Sequence, residues 1–554
     1  MNKPDVNEKR PIDAATIAEA GRLLGVEYSD AERLQMVDNI AGQIELAIKR
    51  RAIRLPQGSA PATRFDPRLP GWKSIEPQIF RPADRPAPPL PAKDIDIAFA
   101  PVTHLARWIR NGELTSLRLT EIYLERIARL GDRLKCIAVA TPELARAQAR
   151  RADRLLAEST YLGPLHGVPW GAKDLLDTSG IVTGWGAEPY LGRVPDADAT
   201  VVRKLADAGA VLVAKTSLGA LAYGDIWYGG RTRNPWNLEE GSRGSSAGSA
   251  SATATGLVAF AIGTETLGSI VAPSIRCGTT GLRPTFGRVS RTGAMALCWS
   301  LDKIGPMCRT VEDTALVMAA INGFDESDAG SIAVPFGYDA AAPVKGLRLG
   351  YFPGDLDLPE ADELDRAALE AARRIGLELI ALERPELPYE ALMSILFAEA
   401  AAAFEELTLD NRDDELSWQE PAAWPNSFRK ARFLSAVDHV QLDRLRRRVM
   451  QDMDAAFGKV DAMIGPCLVG PMLTITNFTG HPSLVIRSGF RQSETRGPAG
   501  FARTEQASGS KGPTFTVPHA ISLYGRLFDE GVILRIGKAL ENEFAVWDRR
   551  PPLE

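Results

Sequence analysis

The sequence predicts an α/β fold: a mixed β-sheet core covered by helices on both faces, with a helical extension at the N-terminus. Three observations carry this. From about residue 97 onward, short apolar runs alternate with amphipathic helical stretches, the pattern of strands buried beneath helices. The first fifty residues show helical periodicity alone. Between them lies a segment too rich in proline for regular helix or central strand. On this reading 1–55 is the helical extension, 56–96 a Pro-rich arm or linker, and 97–554 one large domain.

Within 12–52, Ile17, Ala20, Leu23 and Leu24 share one helical face, and Leu34, Val37, Ile40, Ile44 and Ile48 share another. Ser29 or Asp30 suits the N-cap of the second helix, so the segment reads as a hairpin with an apolar face to bury. Phe65, Trp72 and Phe80 punctuate the proline-rich stretch and favour an arm lying extended along the domain surface. Such an arm can cap the core or supply a homodimer contact.

The main domain then predicts a helix over 115–130, a strand over 136–140, a helix over 142–156, a helix over 200–208 and a strand over 211–214. Further on come a strand over 347–351, a helix over 364–374, one long helical pattern over 389–457 and a strand over 460–464.

Composition narrows the function classes. The net charge of −5 gives no basic footprint for nucleic acid. Five scattered cysteines without a C-x-x-C pair argue against a zinc ribbon or disulfide scaffold and for a reducing compartment. Residues 1–10 are polar, unlike a signal peptide, and the most hydrophobic stretch, 248–262, is interrupted by Ser and Thr. A cytoplasmic protein without a membrane span is expected.

Three places carry candidate chemistry. Lys173 follows a Gly-Val-Pro turn and Trp170 in an otherwise uncharged segment. Burial there disfavours its charged form and makes it a neutral base, whereas a surface position would pair it with Asp174. Ser245, Ser246 and Ser249 lie among glycines, and the small residues of 250–262 suit a helix packed closely against a sheet. Finally, a turn at 264–273 aims the backbone N–H groups of Thr266, Leu267, Gly268 and Ser269 into one concavity, the donor array an oxyanion needs, beside the hydroxyl of Ser269.

Taken together these segments resemble the amidase signature family of serine hydrolases. The resemblance rests on Gly163-Pro-Leu-His-Gly-Val-Pro followed by Lys173-Asp174, Gly244-Ser-Ser-Ala-Gly-Ser-Ala250 and Gly268-Ser-Ile-Val-Ala-Pro273. It continues in 277–290, in Ser300-Leu-Asp-Lys-Ile-Gly-Pro-Met307, and in Thr479-Gly-His-Pro482 and 523–529. It covers roughly residues 97–550. It implies a Ser–cis-Ser–Lys triad in which Ser269 is the nucleophile, Ser245 the bridging serine in a cis peptide, and Lys173 the base. Thr266, Leu267 and Gly268 would supply backbone oxyanion donors, and Ser246 a supporting hydrogen bond. It further implies hydrolysis of a carboxamide C–N bond in a small-molecule amide, extending to esters or carbamates, with neither metal nor cofactor. Many members carry Asp-x-Gly-Gly-Ser-Ile-Arg. Here Glu265, Leu267 and Val271 replace the Asp, the first Gly and the Arg, as in a subgroup of stand-alone amidases.

Two alternatives stand beside this. The family also resembles the glutamine-hydrolysing subunit of tRNA-dependent amidotransferases, and the helical pair at 12–52 resembles the small helical subunit of that assembly. Separately, Gly244-Ser-Ser246-Ala-Gly248 matches the nucleophile elbow of α/β-hydrolases, with Ser246 as nucleophile and His439, His481 or His519 downstream. His166 reads as a turn-ordering residue, and Ser508-Gly-Ser-Lys511 as a polar loop.

Overall fold

A computed structural model describes residues 12–74, 79–84, 86–496 and 513–553. The polar segment 1–10, Ser508–Lys511 and part of the stretch 485–515 therefore lie outside the described residues.

The alternation seen from residue 97 builds one eleven-stranded sheet. In chain order its strands are β1 (Ile137–Ala140), β2 (Pro169–Lys173), β3 (Val211–Thr216), β4 (Phe260–Glu265), β5 (Thr280–Arg283) and β6 (Lys303–Cys308). There follow β7 (Arg348–Tyr351), β8 (Glu378–Ala381), β9 (Ala462–Pro466), β10 (Ser483–Glu494) and β11 (Thr514–Gly525). Their spatial order is β8-β7-β9-β11-β10-β5-β6-β4-β2-β3-β1. The centre is mixed: β2 runs parallel to β3 and β4, whereas β6 runs antiparallel to β4 and β5.

Both faces of the sheet are covered, and the pleat shows it. Successive side chains on a strand point to opposite faces. Val211 and Val213 of β3 enter one apolar cluster with Leu124, Ile127 and Ala149, while Leu212 enters another with Trp170 and Ile262. That double burial explains why β3 reads as a continuous apolar run.

The hairpin is present as α1 (Ala14–Leu24) and α2 (Asp30–Arg51), with Ser29 as N-cap in a capping box with Glu32. Its apolar face departs from expectation. Ile17 is buried, but Leu23, Leu34, Ile44, Leu46 and Ile48 are exposed. The pair is instead tethered through charge, Arg50 to Glu405 at 2.7 Å and Arg54 to Asp410 at 3.0 Å. The proline-rich segment packs ring on ring against the main domain, Phe65 on Phe286, Trp72 on Phe528 and Phe80 on Phe336.

Two other expectations are corrected. Residues 250–262 are not one helix: α3 (Ala247–Ala254) stops before a turn, and β4 begins at Phe260. The pattern over 389–457 is broken into several short helices before the 22-residue helix Ala436–Phe457. Pro421 falls in one interruption, and Pro425 sits in the first turn of the helix Trp424–Ala431, where its missing N–H starts a helix rather than continuing one. Among the described residues no helix is long and apolar enough to cross a membrane.

Candidate active site

Parallel pairing of β2 with β4 sets Trp170, Gly171 and Ala172 opposite Phe260, Ala261 and Ile262. The next residue of β2, Lys173, therefore reaches the end of β4 at Thr264. Ser246 is the residue before α3, and its N–H donates to the carbonyl of Ser269 at 3.1 Å. Three segments distant in sequence thus meet at one end of adjacent strands, where ligands bind in open α/β sheets.

Lys173 is fully buried. Its Nζ lies 2.8 Å from Ser245 Oγ, 3.0 Å from Ser246 Oγ and 2.8 Å from Thr264 Oγ1. No carboxylate touches it among the described residues. Burial drives its pKa well below the ordinary lysine value, and the more distant charges of Asp302 and Glu265 offset this only in part. The alternative, a surface lysine paired with Asp174, does not occur. Asp174 faces away, 3.3 Å from the buried Lys215, and accepts from the Gly184 N–H. Burial raises the Asp174 carboxyl to about 6 against the pull of Lys215.

The paired serines differ in their commitments. Ser246 Oγ donates to the Thr264 carbonyl at 3.0 Å and accepts from the Thr264 N–H at 3.1 Å, so its proton is already used. Ser245 Oγ has Lys173 as its hydrogen-bond partner and no other among the described residues. The Gly244–Ser245 peptide is cis. Gly263 makes room for this cluster: a Cβ there would lie 2.8 Å from Ser246 Oγ and 2.7 Å from Met307 Sδ.

Past β4 the chain turns through Thr266–Ile270 into helix α4 (Val271–Cys277). Gly268 takes the left-handed conformation, φ 79°, that the turn requires. Among the described residues the N–H groups of Thr266, Leu267, Gly268 and Ser269 donate to no protein acceptor. Ser269 is slightly exposed, 7%, and its hydroxyl makes no hydrogen bond with another side chain among the described residues. The structure thus joins Ser269 to the lysine–serine cluster through main chain, and the Ser245 and Ser269 hydroxyls are not bonded to each other.

What holds this turn was missed in the sequence. Glu265 Oε2 accepts from the N–H groups of Ile270 and Val271 at 2.8 and 3.0 Å, and Oε1 from Arg283 at 2.8 Å and Asn477 at 2.9 Å. Burial alone would raise this carboxyl, but Arg283 and those N–H groups bring it down to about 2. Thr266 Oγ1 donates to Asp302 at 2.6 Å, and the other Asp302 oxygen accepts from Leu297 and Cys298 N–H. Glu265, Arg283 and Asp302 all lie inside or beside the motifs quoted above, and only their partners were unreadable. Leu267 packs partly buried against the main core, and Val271 is buried with Val485 and Ala520.

The nucleophile-elbow reading is overturned. The strand before Ser246, Asn237–Gly241, belongs to a separate two-stranded hairpin rather than the main sheet. His481 bonds Thr479, His519 bonds Ser488, and among the described residues neither these nor His439 bonds Ser246. His166 orders its turn as read, against Ala152 O and Leu162 N–H.

The large mixed sheet thus presents a buried, carboxylate-free lysine to two serine hydroxyls. The Amidase family model matches residues 118–534, and the chain belongs to the amidase signature family, enzymes that hydrolyse C–N bonds. It is 33% identical over 500 residues to a glutamyl-tRNA(Gln) amidotransferase subunit of Roseiflexus castenholzii, covering 81% of this chain and 97% of that protein. It is 34% identical over 473 residues to the corresponding subunit of Geobacter metallireducens, covering 79% and 96%. Among solved structures it is similar to the peptide amidase of Stenotrophomonas maltophilia. That likeness has a TM-score of 0.70 and 29% identity, covering 82% of this chain and 98% of that one.

Proposed function

We propose that residues 97–554 form a catalytic domain that hydrolyses a carboxamide C–N bond through an acyl-enzyme on Ser269. Lys173 is the base and Ser245 the relay. Ser269 Oγ attacks the carbonyl carbon as its proton passes to Ser245 and the Ser245 proton passes to the neutral Lys173 amine. The backbone N–H groups of Thr266, Leu267 and Gly268 receive the oxyanion. Collapse expels the amine, which takes a proton back through Ser245. Water then attacks the ester by the same route and releases the acid. Ser246 holds Lys173 in place and moves no proton.

The observation that carries this reading is the buried Lys173 amine, free of carboxylate contact and 2.8 Å from a serine hydroxyl with no other partner among the described residues. Amides, esters and carbamates bearing p-nitroaniline or p-nitrophenol leaving groups test it, with Ser269→Ala as the blank. A mass increase of one acyl group on the peptide containing Ser269 is expected, and undiminished turnover in Ser269→Ala would sink the assignment.

The amide itself divides two readings. The amidotransferase relatives, 33–34% identical to this chain, favour glutamine, with ammonia handed on within an assembly, more than they favour a free-standing cytoplasmic amidase. Val271 pulls the other way, because it puts a buried aliphatic side chain where arginine-bearing members offer a cation to a carboxylate. Glutaminase activity that is weak in the isolated chain and rises with a co-purifying partner selects the assembly. Full activity of the isolated chain on neutral amides selects the free-standing enzyme.

A further inference from the structure

A cavity of about 300 Å³ lies away from the lysine–serine cluster, between the proline-rich arm, the 99–108 segment and the C-terminal residues 547–550. Ala254, the last residue of α3, reaches it, whereas Ser246 precedes the first. Eight helical residues, about 12 Å, therefore separate the two places.

Its polar lining is cationic and poorly paired. Arg309 and Arg487 both line it, and they are only 6% and 9% exposed. Arg309 spends its terminal nitrogens on the carbonyls of Thr253, Val258 and Ala100. Arg487 spends its own on those of Arg549, Gly278 and Trp547. Neither forms an ion pair among the described residues, and the Nε of each is buried without a partner. Of the two lining carboxylates, Asp96 is taken by Arg550 at 2.8 Å, and Asp548 reaches Arg487 only through longer-range attraction. Exposed Arg549 adds charge at the rim. Asp313 acts on Arg309 likewise at longer range, so both buried guanidiniums lack a carboxylate in contact, and an anion in the cavity would meet them.

The remaining walls are mainly apolar, with Phe99, Trp108 and Trp547 beside several prolines and His104, and the Arg550 guanidinium lies 4.6 Å over the Phe99 ring. The volume suits a small ring rather than a polymer. From the unpaired arginines together with these walls, we infer that the cavity binds a small aryl carboxylate, its oxyanion head toward Arg309 and Arg487 and its ring against the aromatic side chains. Inorganic phosphate shares the head chemistry but lacks the ring.

Calorimetric titration of the full chain with benzoate, and separately with inorganic phosphate, tests this. Benzoate is expected to bind wild type and Ser269→Ala equally. Its affinity should fall about tenfold or more in Arg487→Gln, which removes a charged hydrogen-bonding head. Because Arg487 also holds three carbonyls, the exposed-rim variant Arg549→Glu and the wall variant Trp547→Ala supply independent tests, and both should weaken benzoate. Absence of benzoate binding, or affinity unchanged in both Arg549→Glu and Trp547→Ala, would overturn the proposal. So would loss of binding in Ser269→Ala, which would return the anion to the catalytic site. Phosphate binding without benzoate would overturn the aryl assignment.

Discussion

Replacing Lys173 with methionine isolates its amine from its bulk. The side chain keeps its length and apolar stem, so little cavity opens, but the one group able to accept the Ser245 proton is gone. Three hydroxyls lose a partner: those of Ser245, Ser246 and Thr264. Ser246 retains both Thr264 contacts, leaving two buried hydroxyls short of a bond at about 1–3 kcal/mol each. Deleting an amine that was itself desolvated offsets part of that, so the fold should survive. Catalysis should not. General-base assistance contributes roughly 10²–10⁴-fold, so kcat/KM on a p-nitroanilide should fall by that factor while the thermal midpoint moves little. The wild-type pH profile supplies the second arm. A neutral amine is the active form, so kcat/KM should rise with pH through the folded-state pKa of Lys173 and level off above it. Because burial lowers that pKa, the plateau should begin well below the usual lysine value. Linkage has the same sign: the unfolded chain binds a proton that the folded one refuses, so stability rises with pH across this interval. Retention of more than a tenth of kcat/KM in Lys173→Met, or an acid limb centred at the ordinary lysine pKa, would refute the reasoning.

Ser245→Ala and Ser246→Ala should separate, the first cutting kcat by about 10²-fold or more at near-normal stability, the second costing about 1–3 kcal/mol in urea unfolding with the smaller kcat loss. Thr264→Asp sets a carboxylate where an oxygen already lies 2.8 Å from Lys173 Nζ. It should raise the acid limb of kcat/KM by about 1–3 pH units, with activity returning at high pH, whereas Thr264→Val should leave the limb near its wild-type position. Glu265→Gln leaves Arg283 buried without its counter-charge and should cost about 3–5 kcal/mol by urea unfolding. In wild type the contribution of Glu265, whose folded pKa is about 2, should be fully present above its unfolded value near 4.5 and lost as pH falls through about 2.

How much was legible follows from which interactions are local. The strands β1, β3 and β7 and the helices Ser116–Leu134 and Pro142–Ala157 were readable because each carries its burial pattern within a few residues. The motif segments singled out Lys173, Ser245, Ser246 and Ser269, and the structure bonds the first three through their side chains. The Glu265–Arg283 and Thr266–Asp302 contacts were not readable, since they depend on antiparallel pairing across β4, β6 and β5, which is long-range. Residues 250–262 misled because small residues suit a close-packed helix and a buried strand equally. The 14–51 hairpin misled in the opposite way: its periodicity is real, but periodicity states which residues share a face and says nothing of what covers it.

The placement of Asp174 explains why a lysine at the end of a strand can stay free of carboxylate contact, as its proposed role as base requires. In sequence Lys173 and Asp174 are neighbours, and the simplest expectation neutralises one with the other. Adjacent residues leaving a strand point to opposite sides, so the fold sends Lys173 toward Thr264 and the serines and Asp174 toward Lys215. Lys215 also donates to the Leu176 carbonyl and to Thr183, which anchors it on the Asp174 side. A carboxylate at contact distance would favour the ammonium and lift the lysine pKa back toward its ordinary value. By giving Asp174 a different cation, the fold leaves Lys173 with hydroxyl and carbonyl partners alone. Low charge around Lys173 is therefore built by a second buried lysine, and the chemistry proposed at Ser245 would depend on a pair that never touches it.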